Sequence, residues 1–266
     1  MRPRLVATDL DGTLLKEDGT VDDRTRSAIA GAEAAGALVV FCTARPHRWI
    51  GPLAESTGHH GVAICANGAV VYDLHAESVL EATPLEPLVA QELVALLRAE
   101  VPGGAWAVEH TGGFGHEPAY VPRWPVPDDT TIDIVEVLVE RPVVKLMLRH
   151  DRLSADALLS VAREVGGHLA EFSHSNAADG LLEISAAGVS KATALARFCD
   201  ERGIDGDEVI AFGDMPNDLP MLTWAGYAVA VANAHPDVIA AADEVTASNE
   251  EAGVARVLER LFSPSG

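Results

Sequence analysis

Three continuous apolar runs in this chain stop at a polar or acidic group: RLVATD at 4–9, ALVVFCTAR at 37–45 and EVIAFGD at 208–214. Strands with apolar residues on both faces, rather than in alternation, belong to parallel sheets covered by helices on both sides. Ligands of such open sheets bind beyond the carboxyl ends of the strands. Asp9-Leu10-Asp11, Thr43 and Gly213-Asp214 are therefore expected to face one crevice, although about 200 residues of chain separate the first from the last.

Helical segments fall between these runs. DDRTRSAIAGAEAA at 22–35 starts at a capping Asp22 and stops at Gly36; PHRWIGPLAEST is read as a second helix with Pro46 in its first turn. GVAICANGAVVYD at 61–73 contains two apolar runs joined by Asn67-Gly68, a hairpin signal. From about residue 82 the order changes: a helix at EPLVAQELVALLRAE, a Gly-, Pro- and aromatic-rich stretch, strands at VEVLVE and VVKLMLR, a helix at SADALLSVAREV, then strand-like HLAEFSH and LLEIS. Strand–helix alternation returns near 187 and continues to the terminal segment NEEAGVARVLERLF. NDLPMLTWA reads as a short helix interrupted or bent at Pro220. The expected fold class is α/β: a Rossmann-like, doubly wound parallel sheet built from 1–82 and 185–266, with an α+β cap domain inserted at 83–184.

The chain has 266 residues, 48% of them hydrophobic, and a net charge of -21. That charge argues against nonspecific binding to nucleic acid or to an anionic membrane. No run is long enough to span a bilayer, and the first residues lack the pattern of a signal peptide, so a cytoplasmic protein is expected. Cys42, Cys65 and Cys199 are few, odd in number and without zinc-type spacing; Cys42 and Cys65 read as core thiols.

Carboxylates gathered at one crevice need compensating charge. Their oxygen donors suit magnesium. A calcium loop beginning at Asp9 would need Gly at its sixth position and Glu at its twelfth; the chain has Leu14 and Thr20, which excludes it. Thr43 can donate to a phosphate oxygen, and Lys191, in the first turn of its helix, is poorly placed for a cation unless an anion lies beside it.

Four ordered motifs then resemble the haloacid dehalogenase superfamily of phosphohydrolases: DLDGT at 9–13, CTAR at 42–45, GVSKATAL at 188–195 and GDMPNDLPML at 213–222. The long insertion, with ICANGAVV and LLEISAAGVSK, is similar to the Cof-type subfamily; Ala44 departs from the Gly of many relatives. The resemblance implies a magnesium-dependent phosphatase acting on small phosphate monoesters, sugar phosphates first. It implies Asp9 as nucleophile, Asp11 as acid and base, and Thr43, Lys191 and Asn217 on the phosphoryl group. Magnesium would lie on Asp9, the Asp11 carbonyl and Asp214, with Asp218 in support. Arg45 is a further candidate for the substrate, and His110, Phe114, His116, Tyr120, Arg123 and Trp124 are weaker ones. A hexose-type phosphomutase and a non-catalytic phosphate sensor are the alternatives; a monomer or small homo-oligomer is expected.

Overall fold

The computed structural model describes residues 2–174 and 180–262. In chain order the strands are β1 (Leu5–Thr8), β2 (Leu38–Cys42), β3 (Val62–Cys65), β4 (Val70–Asp73), β5 (Ser78–Ala82), β6 (Ala105–His110), β7 (Gly113–His116), β8 (Thr131–Ile132), β9 (Lys145–Arg149), β10 (Ala170–Ser173), β11 (Leu181–Ala186), β12 (Val209–Gly213), β13 (Tyr227–Ala230) and β14 (Glu244–Val245). The helices are α1 (Asp23–Ala34), α2 (Gly51–Thr57), α3 (Pro87–Glu100), α4 (Val135–Leu138), α5 (Ala155–Gly166), α6 (Lys191–Asp200), α7 (Leu219–Trp224), α8 (Pro236–Ala241) and α9 (Gly253–Phe262). They form two compact units, one from residues up to Glu81 and from Lys191 onward, the other from Ala82–Ser190. No helix among the described residues is long and apolar enough to cross a membrane.

In the first unit the sheet order is β14-β13-β12-β1-β2-β3-β4-β5. The pairings from β14 to β3 are parallel, and β4 turns back antiparallel on β3. β1, β12 and all of β2 but its first residue are buried, as their continuous apolar runs require. Helix α1 packs against α9, while α6 packs against α7 and α7 against α8. The chain leaves β1 toward β2 on one side and meets β12 on the other. This is the reversal of strand order at which a crevice opens. Asp22 caps α1 by accepting from the Thr25 N–H at 2.8 Å, and Gly36, at φ +90°, follows its last turn.

In the second unit the order is β10-β11-β9-β6-β7-β8, antiparallel except for β7 with β8. Leu93 and Leu97 of α3 and Leu158 and Ala162 of α5 share one apolar cluster with Trp106, Leu146, Leu148 and Ile184 of the sheet. Ala107, Phe114, Tyr120 and Met147 form a smaller one. β11 runs through Ala186, so residues 185–190 go with this unit.

Three local expectations are corrected. VEVLVE is not a strand: Val135, Leu138 and Val139 are buried and Glu136, Val137 and Glu140 exposed, a helical spacing that Val135–Leu138 obeys. PHRWIGPLAEST divides into a 3-10 turn, His47–Trp49, and α2, because Gly51-Pro52 restarts the helix with Pro52 in its first turn. The terminal helix begins only at Gly253, after Ala252 turns left-handed at φ +56°. Pro220, by contrast, sits in the first turn of α7, where its missing N–H costs nothing.

Candidate active site

Asp9 leaves the end of β1, and its N–H donates to the Phe212 carbonyl of β12 at 3.0 Å. Gly12 follows at φ +81°, a left-handed turn that glycine enters without strain. The turn brings Thr13 under the end of β12, where its hydroxyl donates to Asp214 Oδ1 at 2.8 Å. A Cβ at Gly12 would lie 2.4 Å from Asp214 Oδ2. Glycine is thus required twice, for conformation and for space. Gly12→Ala is expected to push Asp214 aside and to destabilise the fold by about 1–3 kcal/mol, the cost of overpacking joined to a strained left-handed turn. Urea unfolding of the variant checks it.

Asp9, Asp214 and Asp218 place carboxylate oxygens within 4.8 Å of one another, and all three are buried. Lys191, at the first position of α6 and 2% exposed, reaches into this group. Its Nζ donates to Asp9 Oδ1 at 2.5 Å and to Asp218 Oδ1 at 2.6 Å. The other oxygen of Asp218 accepts the N–H groups of Asp214 and Met215, both at 3.1 Å. Asp218 is therefore tied to the lysine and to the backbone of the 214–218 turn.

Three carboxylates face one ammonium. Burial pushes the Asp9 carboxyl well above its ordinary value; Lys191 opposes the rise, and Asp218 and Asp214 add to it. Burial, then Asp218, push Asp214 up to about 6 against the Thr13 hydrogen bond. Burial works against the charged form of Lys191, but Asp218 and Asp9 outweigh it and hold the ammonium above its ordinary value. Three buried carboxyl groups with their oxygens within 4.8 Å of one another make an all-oxygen donor set that fits a hard divalent cation such as magnesium.

Asp11 supplies no carboxylate to this group. Its side chain is more than half exposed and is gripped by Arg45, whose Nε and Nη2 donate to the two oxygens at 2.8 and 2.5 Å. Thr43 is fully buried at the end of β2, and its Oγ1 accepts the Arg45 N–H at 3.0 Å. Asn217 lies in the turn before α7, its Nδ2 donating to Asn67 Oδ1 at 3.3 Å. Asn233 Nδ2 donates to the Gly12 carbonyl at 2.8 Å, and Asn249 Nδ2 to that of Leu15 at 2.8 Å. Sequence reasoning gave no role to Thr13, Asn67, Asn233 or Asn249. Thr13 stood inside a quoted motif and Asn67 was read only as a turn residue, while the two later asparagines carry no local signal.

The weaker candidates lie in the second unit. Phe114 and Tyr120 belong to its smaller apolar cluster, with Arg149 over the Tyr120 ring. The Nδ1 atoms of His110 and His116 are hydrogen-bonded to the Pro142 and Glu117 carbonyls, both at 2.8 Å. Arg123 and Trp124 are exposed.

A family model described as haloacid dehalogenase-like hydrolase matches residues 6–258. Pyridoxal phosphate phosphatase YbhA of Escherichia coli (strain K12) is 32% identical over 273 residues, covering 97% of this chain and 98% of that protein. The 5-amino-6-(5-phospho-D-ribitylamino)uracil phosphatase YitU of Bacillus subtilis (strain 168) is 30% identical over 267 residues, covering 98% of each. Among solved structures, BT1666 from Bacteroides thetaiotaomicron, a phosphatase of the same superfamily, superimposes with a TM-score of 0.81 at 25% identity, covering 98% of this chain and 95% of that one.

Proposed function

The chain belongs to the haloacid dehalogenase-like hydrolases, and from that premise we propose how its residues hydrolyse small phosphate monoesters. As a phosphoric monoester hydrolase of this family it needs a nucleophile, a proton donor and a phosphoryl clamp. One observation carries the assignment: a buried lysine bridges Asp9 and Asp218 inside an all-oxygen acidic group at the ends of β1 and β12.

Asp9 is the nucleophile. One of its carboxylate oxygens attacks phosphorus and forms an aspartyl-phosphate, while the ester P–O bond breaks and Asp11 protonates the departing oxygen. Asp11, now a carboxylate, takes a proton from water; the new hydroxide attacks the same phosphorus, and Asp9 and inorganic phosphate are released. Arg45 donates to both Asp11 oxygens, and one of these two contacts must open for Asp11 to carry the proton it gives to the leaving oxygen. Lys191, the Thr43 hydroxyl and the Asn217 amide bind the phosphoryl oxygens and stabilise charge as it spreads over them. Asp9, Asp214 and the Asp11 carbonyl would hold magnesium, which when bound lowers the repulsion between carboxylate and phosphate. Asp218 keeps Lys191 in place.

The substrates proposed are small phosphorylated metabolites, with sugar phosphates and phosphorylated cofactors first in the panel. The names of the two curated relatives, a pyridoxal phosphate phosphatase and a ribityl-phosphate phosphatase, support including both kinds. A phosphate-release screen over such a panel, with magnesium and with EDTA, tests the reading. Activity is expected to disappear with EDTA and to return with excess magnesium; release unaffected by EDTA would remove the metal from the scheme. Magnesium is also expected to raise the melting temperature of the wild type but not of Asp214→Asn, because a ligand bound only by the folded chain stabilises it.

A further inference from the structure

The Asn67-Gly68 pair is a turn signal in the sequence, yet the turn is not an ordinary surface hairpin. Cys65 pairs with Val70 across four loop residues, and Ala66 and Asn67 are both left-handed, at φ +50° and +55°, before Gly68 at +107°. Ala66 is fully buried and Asn67 is 5% exposed. Two consecutive non-glycine residues in this region are uncommon, and a buried connection is more so. Such outliers persist only where their surroundings over-determine them.

The surroundings are the two loops assigned to the phosphoryl group. The Asn67 N–H donates to the Thr43 carbonyl at 3.0 Å, and the Ala66 N–H to the Arg45 carbonyl at 2.9 Å. The turn thus holds the backbone on both sides of Ala44, behind the Thr43 hydroxyl. On its other side Asn67 Oδ1 accepts from Asn217 Nδ2 at 3.3 Å. Asn217 Oδ1 is buried and has no partner among the described residues. Among those residues, then, the direction of the Asn217 amide is set by Asn67. We propose that Asn67 is a positioning residue of the phosphoryl site: its side chain aims the Asn217 amide, while its left-handed backbone holds the Thr43–Arg45 loop.

This rests on the reading of Thr43 and Asn217 as phosphoryl ligands. The backbone and side-chain parts separate by substitution. Asn67→Gly keeps the left-handed turn and removes the amide; Asn67→Ala removes the amide and adds strain. Both are expected to lower kcat/KM for para-nitrophenyl phosphate about three- to ten-fold, the worth of one hydrogen bond. Inorganic phosphate should bind correspondingly more weakly to both by calorimetry in magnesium. The alanine variant alone should melt about 2–4 °C lower. In an Asn217→Ala background, Asn67→Gly should have no further effect, because the two act through one contact.

A loss that follows melting temperature rather than amide removal, or one that adds fully to that of Asn217→Ala, overturns the proposal. The hydrolase reading fails separately. A wild type that releases no phosphate from any ester would end that reading, while the calorimetric comparison of Asn67→Gly with wild type would still decide the role of Asn67.

Discussion

Asp9→Asn is expected to abolish phosphate release, by on the order of 10⁴–10⁶-fold, the range seen when a nucleophile that forms a covalent intermediate is removed. The same substitution should leave the fold intact. Asp9 is buried, and burial raises its carboxyl well above the ordinary value. A neutral amide of the same shape removes a charge that Asp214 and Asp218 oppose. Lys191 keeps its bond to Asp218, so no ammonium is left unpaired. Unfolding in urea should therefore place the variant within about 1 kcal/mol of wild type. Full activity in Asp9→Asn would show that the oxygen attacking phosphorus belongs to another group. Inactivity accompanied by loss of the folded state would mean that Asp9 is a structural residue.

Lys191→Met should behave in the opposite way, losing both activity and stability. The lysine is buried with hydrogen bonds to two carboxylates. Removing one member of a buried ionic group leaves the others uncompensated, at a cost of about 3–5 kcal/mol. Urea unfolding in EDTA isolates this effect from metal binding. Lys191→Met with Asp218→Asn should recover part of the lost stability, since one of the stranded charges is gone, but none of the activity, since the phosphoryl clamp is still missing. A single variant as stable as wild type would contradict the picture of an ammonium holding together mutually repelling carboxylates. Recovery of turnover in the double variant would remove Lys191 from the chemistry.

Much of this site was legible because its parts are local. DLDGT, CTAR and GDMPND each place a side chain of the candidate site directly after an apolar run, and a buried parallel strand is what such a run becomes in this sheet. The segment that misled was VEVLVE, whose apolar residues fit a strand until burial selected Val135, Leu138 and Val139 as one helical face. The Gly-, Pro- and aromatic-rich stretch was harder still. Its hairpin, β6 with β7, forms inside a sheet whose other strands come from far along the chain.

The sequence by itself determined the chemistry available at the site: which strand ends carry acids, where the lysine starts its helix, and that the donors are all oxygen. It also supplied the glycine that the left-handed turn at position 12 requires, whereas the left-handed Ala66 and Ala252 carry no such signal. Tertiary structure alone decided which partner each group receives: Arg45 on Asp11, Thr13 on Asp214, Asn67 on Asn217 and Asn233 on the Gly12 carbonyl. These contacts join residues 34, 201, 150 and 221 positions apart. Their geometry follows from the register of β1 against β2 and β12, and no local spacing encodes that register.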